Sequence, residues 1–305
     1  MISHIIPHTI EPVWPATRPG RAAHAFLVDK PGDAQIGLIG LADDLGIALN
    51  NGRPGAAEGP NAFRNALATY GTAHPMHVNW PKVFDAGNII SISHDSGMSD
   101  EDRHCHIHDR VTEATAAMLN LGLFPVAIGG GHDLTFPFIR AVSQHHKTPL
   151  NGVYFDAHLD VRDTIGSGMP FRRLIENNFA SRLHVLGLNA HVNSREHADW
   201  FTSHGGTICL PSDDLATVLE SWTSAGFASF DMDVIDAAHA PGVSALHPCG
   251  TDVRTAATWC EEIGACSHIS AFDIMELSPP YDKDNRTARV AAHLFLSFLA
   301  GFARR

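Results

Sequence analysis

Three segments of the sequence place acidic and histidine side chains directly after an apolar, strand-like run. They read Asp-Ala-His-Leu-Asp at 156–160, Asp-Met-Asp at 231–233 and Gly-Gly-Gly-His-Asp at 129–133. Side chains alternate along an extended chain, so residues two apart can face one pocket. Carboxylates gathered in one pocket repel each other unless a cation lies between them. The pattern therefore predicts a metal centre, with candidate ligands His132, Asp156, His158, Asp160, Asp231 and Asp233.

This ligand set is larger than a single zinc ion uses. Zinc sites in proteins are mostly tetrahedral, with three or four protein ligands. Two imidazoles and four carboxylates instead suit a pair of oxygen-preferring ions such as Mn²⁺, which together can activate a water molecule. The alternative is a set of polar turns that cap the following helices, but a cap needs only one acceptor. Asp133 fits such a cap, or a contact behind His132, better than it fits a ligand.

A second histidine-rich tract reads His-Cys-His-Ile-His at 104–108. It lies near the start of a predicted surface helix, and the sequence offers it no carboxylate partner at a strand end. Chance clusters are also expected in a chain with 21 histidines. The sequence therefore favours an ordinary helix surface over a metal site here.

Composition excludes several classes of partner. The chain has 305 residues, 44% of them hydrophobic, and a formal net charge of −12 from 33 acidic and 21 basic residues. This balance argues against nucleic acid and anionic membranes as partners.

Five cysteines without CxxC spacing favour a reducing, cytoplasmic location. Neither a signal peptide nor an apolar run near the ~20 residues of a membrane span is recognisable.

Strand-like and helix-like segments alternate along the chain. This alternation predicts a single α/β domain over 1–305, in which three layers are built from a mainly parallel sheet of about eight strands with helices on both faces. Residues 1–33 are expected to form an N-terminal extension packed on that domain. Ligand sites in such sheets lie beyond the carboxyl ends of the strands, where the acidic segments fall. The predicted strands are 35–41, 82–85, 125–129, 151–155, 182–188, 206–209, 226–231 and 269–274. The predicted helices are 59–70, 101–121, 134–146, 169–178, 194–204, 212–224, 252–264 and 286–302.

The acidic segments resemble the signature blocks of the ureohydrolase, or arginase-like, family. Residues 229–236 resemble its Ser-x-Asp-x-Asp-x-x-Asp block, and residues 273–279 resemble its late Asp-x-x-Glu-x-x-Pro block. The resemblance runs from about residue 35 to the C-terminus. It implies an arginase-like fold, two Mn²⁺ ions per subunit, hydrolysis of a linear amidine or guanidine, and a homo-oligomer, either trimeric or hexameric.

Within that family the chain is most similar to formimidoylglutamases. The loop at 161–171 has no histidine, whereas arginases and agmatinases carry one there for proton transfer. The segment 51–60, with Arg64, and Gly131 also resemble the formimidoylglutamase pattern. The implied reaction is hydrolysis of N-formimidoyl-L-glutamate to L-glutamate and formamide, a step of histidine degradation. Departures from the pattern are Met169, Asp133 and Ala237.

Two alternatives stay open at this point. One is a different ureohydrolase that releases urea from a guanidino compound, as agmatinases, arginases and guanidino-acid hydrolases do. The other is a homologue that binds metal without catalysis.

The resemblance also assigns roles to individual residues. Asp156 and Asp231 would bridge the two ions, and Asp160 would carry a proton between the attacking water and the departing amine. Glu276 would pair with the cationic formamidine. The two substrate carboxylates need cations, for which Arg162 is favoured over Arg172 and Arg173. Substrate contacts are predicted for Arg162, Asn189, Asn193 and Glu276, and catalytic roles for Asp160 and Glu276.

Overall fold

Apolar runs along the chain assemble into one ten-stranded open sheet in this computed structural model, which describes residues 5–73, 79–94, 97–210 and 214–305. The strands are β1 (Thr9–Ile10), β2 (Leu27–Val28), β3 (Ile36–Leu41), β4 (Val83–Ile89), β5 (Phe124–Gly129), β6 (Leu150–Phe155), β7 (Ala180–Leu186), β8 (Gly206–Ile208), β9 (Gly226–Asp231) and β10 (Ile269–Met275). Their order in the sheet is β1-β4-β3-β5-β10-β9-β6-β7-β8, and β2 pairs with β4. All pairs are parallel except β1 with β4.

Helices cover both faces of the sheet, as predicted. They are α1 (Ala22–Phe26), α2 (Leu45–Leu49), α3 (Gly59–Leu67), α4 (Asp100–Asn120), α5 (Thr135–His146), α6 (Pro170–Glu176), α7 (Arg195–Ser203), α8 (Leu215–Glu220), α9 (Val253–Ala265) and α10 (Arg286–Phe302). Short 3₁₀ helices lie at Pro31–Asp33, Ala56–Glu58, His132–Leu134, Met232–Val234 and Pro279–Tyr281. Among the described residues, no helix is both long and apolar enough to cross a membrane.

The sheet separates two hydrophobic cores. Along β6, Val153 and Phe155 point into the core that contains α3, α9 and α10, whereas Tyr154 points into the core that contains α4, α5 and α7. This alternation follows from the pleat of an extended strand. Because both faces are covered, the central strands β6 and β9 are buried along their whole length and are mostly apolar.

The eight predicted strands correspond to β3–β10, and the eight predicted helices correspond to α3–α10. The sheet has two more strands than expected, because β1 and β2 are two residues long and carry no readable alternation. Helices α1 and α2 were missed for the same reason, since five residues span little more than one turn. Helix α8 is shorter than the predicted 212–224, whose first residues lie outside the described part of the chain.

Candidate metal centre

Predicted site residues lie at the carboxyl ends of four neighbouring strands of the sheet. In the order β5-β10-β9-β6, His132 follows the first strand, Glu276 the second, Asp231 ends the third and Asp156 follows the fourth. Their carboxyl ends lie side by side because these strands are parallel. The sheet order therefore brings together segments that are up to 144 residues apart in the sequence.

The glycines before His132 allow the chain to turn tightly at the end of β5. A Cβ atom on Gly130 would lie 2.0 Å from the carbonyl oxygen of Asp43 and 2.4 Å from that of Leu41. No side chain fits such a contact, so the backbone can approach this closely only at a glycine. The turn positions the imidazole of His132 over the carboxyl ends of the neighbouring strands.

The first group of predicted ligands surrounds the Nδ1 atom of His132. This atom lies 3.2 Å from Oδ2 of Asp156, 3.0 Å from Oδ2 of Asp160 and 3.1 Å from Oδ2 of Asp231. Despite these short distances, His132 Nδ1 and Asp156 Oδ2 are buried without a hydrogen-bond partner. Buried polar atoms in proteins are nearly always paired. A cation between these four side chains accounts for the unpaired atoms, so the donor set fits a metal.

The second group is centred on His158. Its Nδ1 atom lies 3.1 Å from Oδ2 of Asp233 and 3.4 Å from Oδ1 of Asp156. The Oδ1 atom of Asp233 is also buried without a hydrogen-bond partner. Asp156 belongs to both groups, with one carboxylate oxygen toward each imidazole. Asp231 falls in the first group alone, and its Oδ1 accepts a hydrogen bond from the backbone N–H of Asp233 at 2.8 Å. A bridging role for Asp231 stays a prediction.

The charges in these groups are strongly interdependent. Burial raises the pKa of Asp231 well above its ordinary value, and the nearby charges of Asp233 and Asp156 raise it further. Burial opposes the charged form of both histidines, yet the carboxylates raise the pKa of His132 well above its usual range and that of His158 to about 12. The clustered carboxylates thus favour the protonated form of both imidazoles. A bound divalent cation would supply this positive charge instead.

A buried hydrogen-bonded chain fixes the orientation of His132. Its Nε2 atom lies 3.0 Å from the Ser229 hydroxyl, which donates to Oδ1 of Asp273 at 2.6 Å. Thr135 donates to the other oxygen of Asp273 at 3.0 Å. With Nε2–H donating to Ser229, the Nδ1 lone pair is free to face the carboxylates. Local sequence patterns did not predict this chain of bonds, although Ser229 and Asp273 both stand inside the blocks that resemble the family signature.

Both predicted catalytic residues have left-handed backbone conformations. Asp160 has a φ of 48° and Glu276 a φ of 67°. Residues with a Cβ atom rarely adopt this conformation, which costs on the order of 1–3 kcal/mol and is concentrated at functional sites. Glu276 is 5% exposed, and its Oε1 accepts a hydrogen bond from the backbone N–H of His132 at 2.9 Å. Burial, with the charges of Asp233 and Asp160, raises the pKa of Glu276 to about 8.

Asn193 holds the 156–160 loop in place. Its Oδ1 accepts from the backbone N–H of Leu159 at 2.9 Å, and its Nδ2 donates to the carbonyl oxygens of Ala157 and Asn189, both at 2.8 Å. These bonds favour a supporting role for this side chain over the predicted substrate contact. The Asn189 side chain is half-buried, and its Oδ1 accepts from the backbone N–H of His191 at 3.0 Å.

The arginines near the loop differ in their surroundings. Arg162 is exposed, and its Nη1 donates to Oδ1 of Asn50 at 2.8 Å. Arg172 and Arg173 both pair with Glu176 on α6, and the Arg172 guanidinium also stacks 4.6 Å from the centre of the Trp200 ring. Of these three arginines, Arg162 therefore has the fewest charged partners.

The interpretation of the 104–108 tract as an ordinary helix surface was wrong for two of its histidines. His104 and His108 are 3% and 4% exposed, and the Nε2 atoms of both lie 3.1 Å from Oδ2 of Asp133. The sequence hid this partner, because Asp133 stands beyond the end of β5 and reaches α4 only through the packing of α4 on α5. Burial lowers the pKa of His108 to about 4.

The sequence profile of the arginase family matches residues 34–301. The chain belongs to the arginase family. Two bacterial formimidoylglutamases are similar to this arginase-family chain over most of its length. The protein of Rhodococcus jostii (strain RHA1) is 34% identical over 281 residues, which is 84% of this chain and 82% of the relative. The protein of Streptococcus pyogenes serotype M3 is 31% identical over 278 residues, which is 84% of this chain and 81% of the relative.

Solved arginase-fold structures are also similar. The Trypanosoma cruzi formiminoglutamase with two Mn²⁺ ions superposes with a TM-score of 0.84 at 29% identity, over 93% of this chain and 99% of that chain. The proclavaminate amidino hydrolase of Streptomyces clavuligerus superposes with a TM-score of 0.80 at 25% identity, over 95% and 98%. The arginase-like, mainly parallel architecture predicted from the sequence is confirmed.

Proposed function

We propose that this arginase-family chain is a binuclear manganese hydrolase that cleaves N-formimidoyl-L-glutamate to L-glutamate and formamide. The observation that carries the proposal is the pair of histidine–carboxylate groups that share Asp156, with unpaired atoms at their centre. The relatives are named formimidoylglutamases, which supports the proposed substrate. The T. cruzi structure contains Mn²⁺, which supports the proposed metal.

The donor set divides between two ions. His132, Asp156, Asp160 and Asp231 would hold one Mn²⁺, and Asp156, His158 and Asp233 would hold the other, with Asp231 as a second bridge. Bound there, the ions would lower the pKa of water so that hydroxide forms near neutral pH.

Asp160 is the proposed proton carrier. It sits at the edge of the first group, with its side chain 14% exposed, while the other carboxylates of that group are almost completely buried. In the reaction, the oxygen of water bonds to the formimidoyl carbon and the bond from that carbon to the glutamate nitrogen breaks. Asp160 would take one proton from the attacking water and pass it to the departing nitrogen. The second proton of that water would follow to the amino group as the carbonyl of formamide forms, so that formamide and glutamate leave.

Substrate positioning would use one acidic and one basic side chain. Glu276 is held behind His132 and would pair with the cationic formamidine group. Arg162, on the loop that follows Asp160, would bind a substrate carboxylate, because a guanidinium can grip a carboxylate through two hydrogen bonds. Asn189 stands on the loop that contacts Ala157 and would add a polar contact.

A urea-releasing activity is the second candidate. The structural similarity to proclavaminate amidino hydrolase favours it, because the TM-score of that superposition is close to that of the formiminoglutamase. Both candidates use the same metal ligands and differ in the loops that would contact the substrate.

The test is a substrate panel with Mn²⁺-loaded protein. It would contain N-formimidoyl-L-glutamate, agmatine, L-arginine and guanidino acids, with formamide and urea assayed in parallel. Formamide release from N-formimidoyl-L-glutamate supports the proposal, and urea release from a guanidine supports the alternative. Metal-loaded protein that turns over none of these compounds would instead favour a non-catalytic metal-binding homologue.

We also propose that residues 1–305 form one domain that acts in the cytoplasm as a homo-oligomer, a trimer or hexamer. The N-terminal residues support the domain assignment, because Ile6 and Phe26 are completely buried in the two cores and β1 extends the sheet. Light scattering coupled to size-exclusion chromatography measures the oligomeric mass directly, and a monomer would contradict that part of the proposal.

A further inference from the structure

A separate cluster of metal-binding side chains lies behind the candidate metal centre. His104 and His108 stand four residues apart on α4, so they project from one face of the helix. Two histidines at this spacing form a familiar metal-binding pair on helices. The Asp133 side chain completes the cluster, and all three residues are at least 96% buried.

The hydrogen-bonding pattern of this cluster is unbalanced. The Nε2 atoms of both histidines lie 3.1 Å from the same oxygen of Asp133, Oδ2. The other oxygen, Oδ1, is buried without a hydrogen-bond partner. A carboxylate that served only to pair two imidazole N–H groups could use one oxygen for each. Here both Nε2 atoms approach the same oxygen, so the three atoms could serve together as ligands of one cation.

The spacing also fits a metal. Ligand atoms about 2.0–2.1 Å from a tetrahedral zinc ion lie roughly 3.3 Å from one another, close to the distances in this cluster. The same range, 3.0–3.2 Å, separates His132 Nδ1 from its three carboxylates in the candidate metal centre. Two imidazoles and one carboxylate are ligands suited to zinc-like ions, whereas the carboxylate-rich centre suits manganese.

Glycines line the unpaired side of Asp133. A Cβ atom on Gly46 would lie 2.0 Å from Oδ1, and one on Gly131 would lie 2.5 Å from it. The Asp133 carboxylate therefore packs directly against both glycines, and a Cβ atom at either position would overlap with it.

We propose that His104, His108 and Asp133 form a third metal site, which takes Zn²⁺ or a similar transition-metal cation. The side chains of His132 and Asp133 contact different groups, the first the candidate metal centre and the second α4. A cation held by Asp133 and the two histidines would tie α4 to the segment that presents His132. This inference is independent of the substrate and of turnover.

Metal stoichiometry tests the proposal. Metal-free protein would be saturated with Zn²⁺, desalted and analysed by mass spectrometry for bound metal per chain. We expect three equivalents in the unmodified protein, two in a His104→Gln/His108→Gln variant and one in an Asp231→Asn/Asp233→Asn variant. The matched control is His106→Gln, because His106 lies in the same tract but is exposed; it should keep three equivalents.

Three departures from these metal stoichiometries would distinguish failure of the third site from failure of the two-ion centre. If the unmodified protein retains no more than two equivalents and the Asp231→Asn/Asp233→Asn variant retains none, the third site does not exist, and this conclusion needs no histidine variant to fold. Loss of the third equivalent in His106→Gln would identify surface binding and overturn the proposal. If the Asp231→Asn/Asp233→Asn variant binds as much zinc as the unmodified protein, the two-ion centre fails instead. X-ray absorption of zinc in the Asp231→Asn/Asp233→Asn variant should show two imidazole ligands.

Discussion

The Nε2 atom of His132 lies 3.0 Å from the Ser229 hydroxyl, and both residues are almost completely buried. The Ser229 hydroxyl in turn donates a hydrogen bond to Asp273, which also accepts one from Thr135. The proposed ligand atom of His132 is the opposite ring nitrogen, so this chain of bonds determines which nitrogen carries the proton. Such supporting bonds orient metal ligands and raise their basicity.

Ser229→Ala should weaken metal binding at the candidate centre without removing a ligand. Losing a partner of this kind typically costs 10–100-fold in metal affinity, so we expect a change on the order of 10-fold or more. Competition with a chelator measures it. Ser143→Ala is the matched control, because Ser143 is a buried serine that donates to the Thr148 carbonyl away from the site. Equal metal affinity in both variants would contradict the proposed role of Ser229.

Asp231→Ala should abolish hydrolysis and reduce the bound manganese. The change removes a carboxylate that lies 3.1 Å from His132 Nδ1 and leaves that buried nitrogen with fewer compensating charges. Activity assays and metal analysis of the same sample measure both effects. Asp252→Ala is the control, because Asp252 is an exposed N-cap of α9 and its loss should cost stability alone, about 1 kcal/mol. A fully active, metal-replete Asp231→Ala protein would contradict the two-metal site.

Arg162→Ala should raise KM for a dicarboxylate substrate while the metal content stays the same. Removing a guanidinium–carboxylate contact worth about 1.5–3 kcal/mol would raise KM by roughly 10- to 100-fold. Steady-state kinetics on metal-loaded protein measure this effect. Arg172→Ala is the matched control, because Arg172 already pairs with Glu176 and stacks on Trp200. An unchanged KM with intact activity in Arg162→Ala would remove Arg162 from the substrate site.

Asn193→Ala should lower kcat by loosening the loop that carries His158 and Asp160. The variant loses hydrogen bonds to Leu159, Ala157 and Asn189, and the buried N–H of Leu159 loses its partner, at a cost of about 1–3 kcal/mol. Kinetics and thermal unfolding together measure the effect. Asn177→Ala is the control, since Asn177 is exposed and its side chain bonds to the Arg173 carbonyl in the helix that it follows. If Asn193 contacts the substrate directly, KM should change more than stability.

Arg64→Ala should destabilise the fold strongly. The Arg64 guanidinium is 1% exposed and forms two hydrogen bonds to Asp85, at 2.7 and 2.9 Å, and a third to Asn88. Removing one partner of a buried ion pair leaves an uncompensated charge and typically costs about 3–5 kcal/mol in the free energy of unfolding. Urea unfolding measures it. Arg304→Ala breaks an exposed pair with Glu261 and should change stability by less than about 1 kcal/mol. A similar loss in both variants would contradict the role assigned to burial.

The sequence alone predicted the candidate ligands, because each follows an apolar strand and short-range geometry places alternate side chains on one side. It also predicted the strands β3–β10 and the helices α3–α10, whose periodicity spans enough residues to be read. The short elements β1, β2, α1 and α2 lay below that length.

Only the tertiary structure decided which side chains meet. Ser229 and Asp273 support His132 because β9 and β10 are neighbours in the sheet, an order that no local pattern encodes. The same holds for His104 and His108, which read as helix surface until the packing of α4 on α5 brings them to Asp133. Spacing along the chain fixes which face of a strand or helix a residue occupies. The partner of that face depends on contacts between residues far apart in sequence, and the burial of the whole domain determines those contacts.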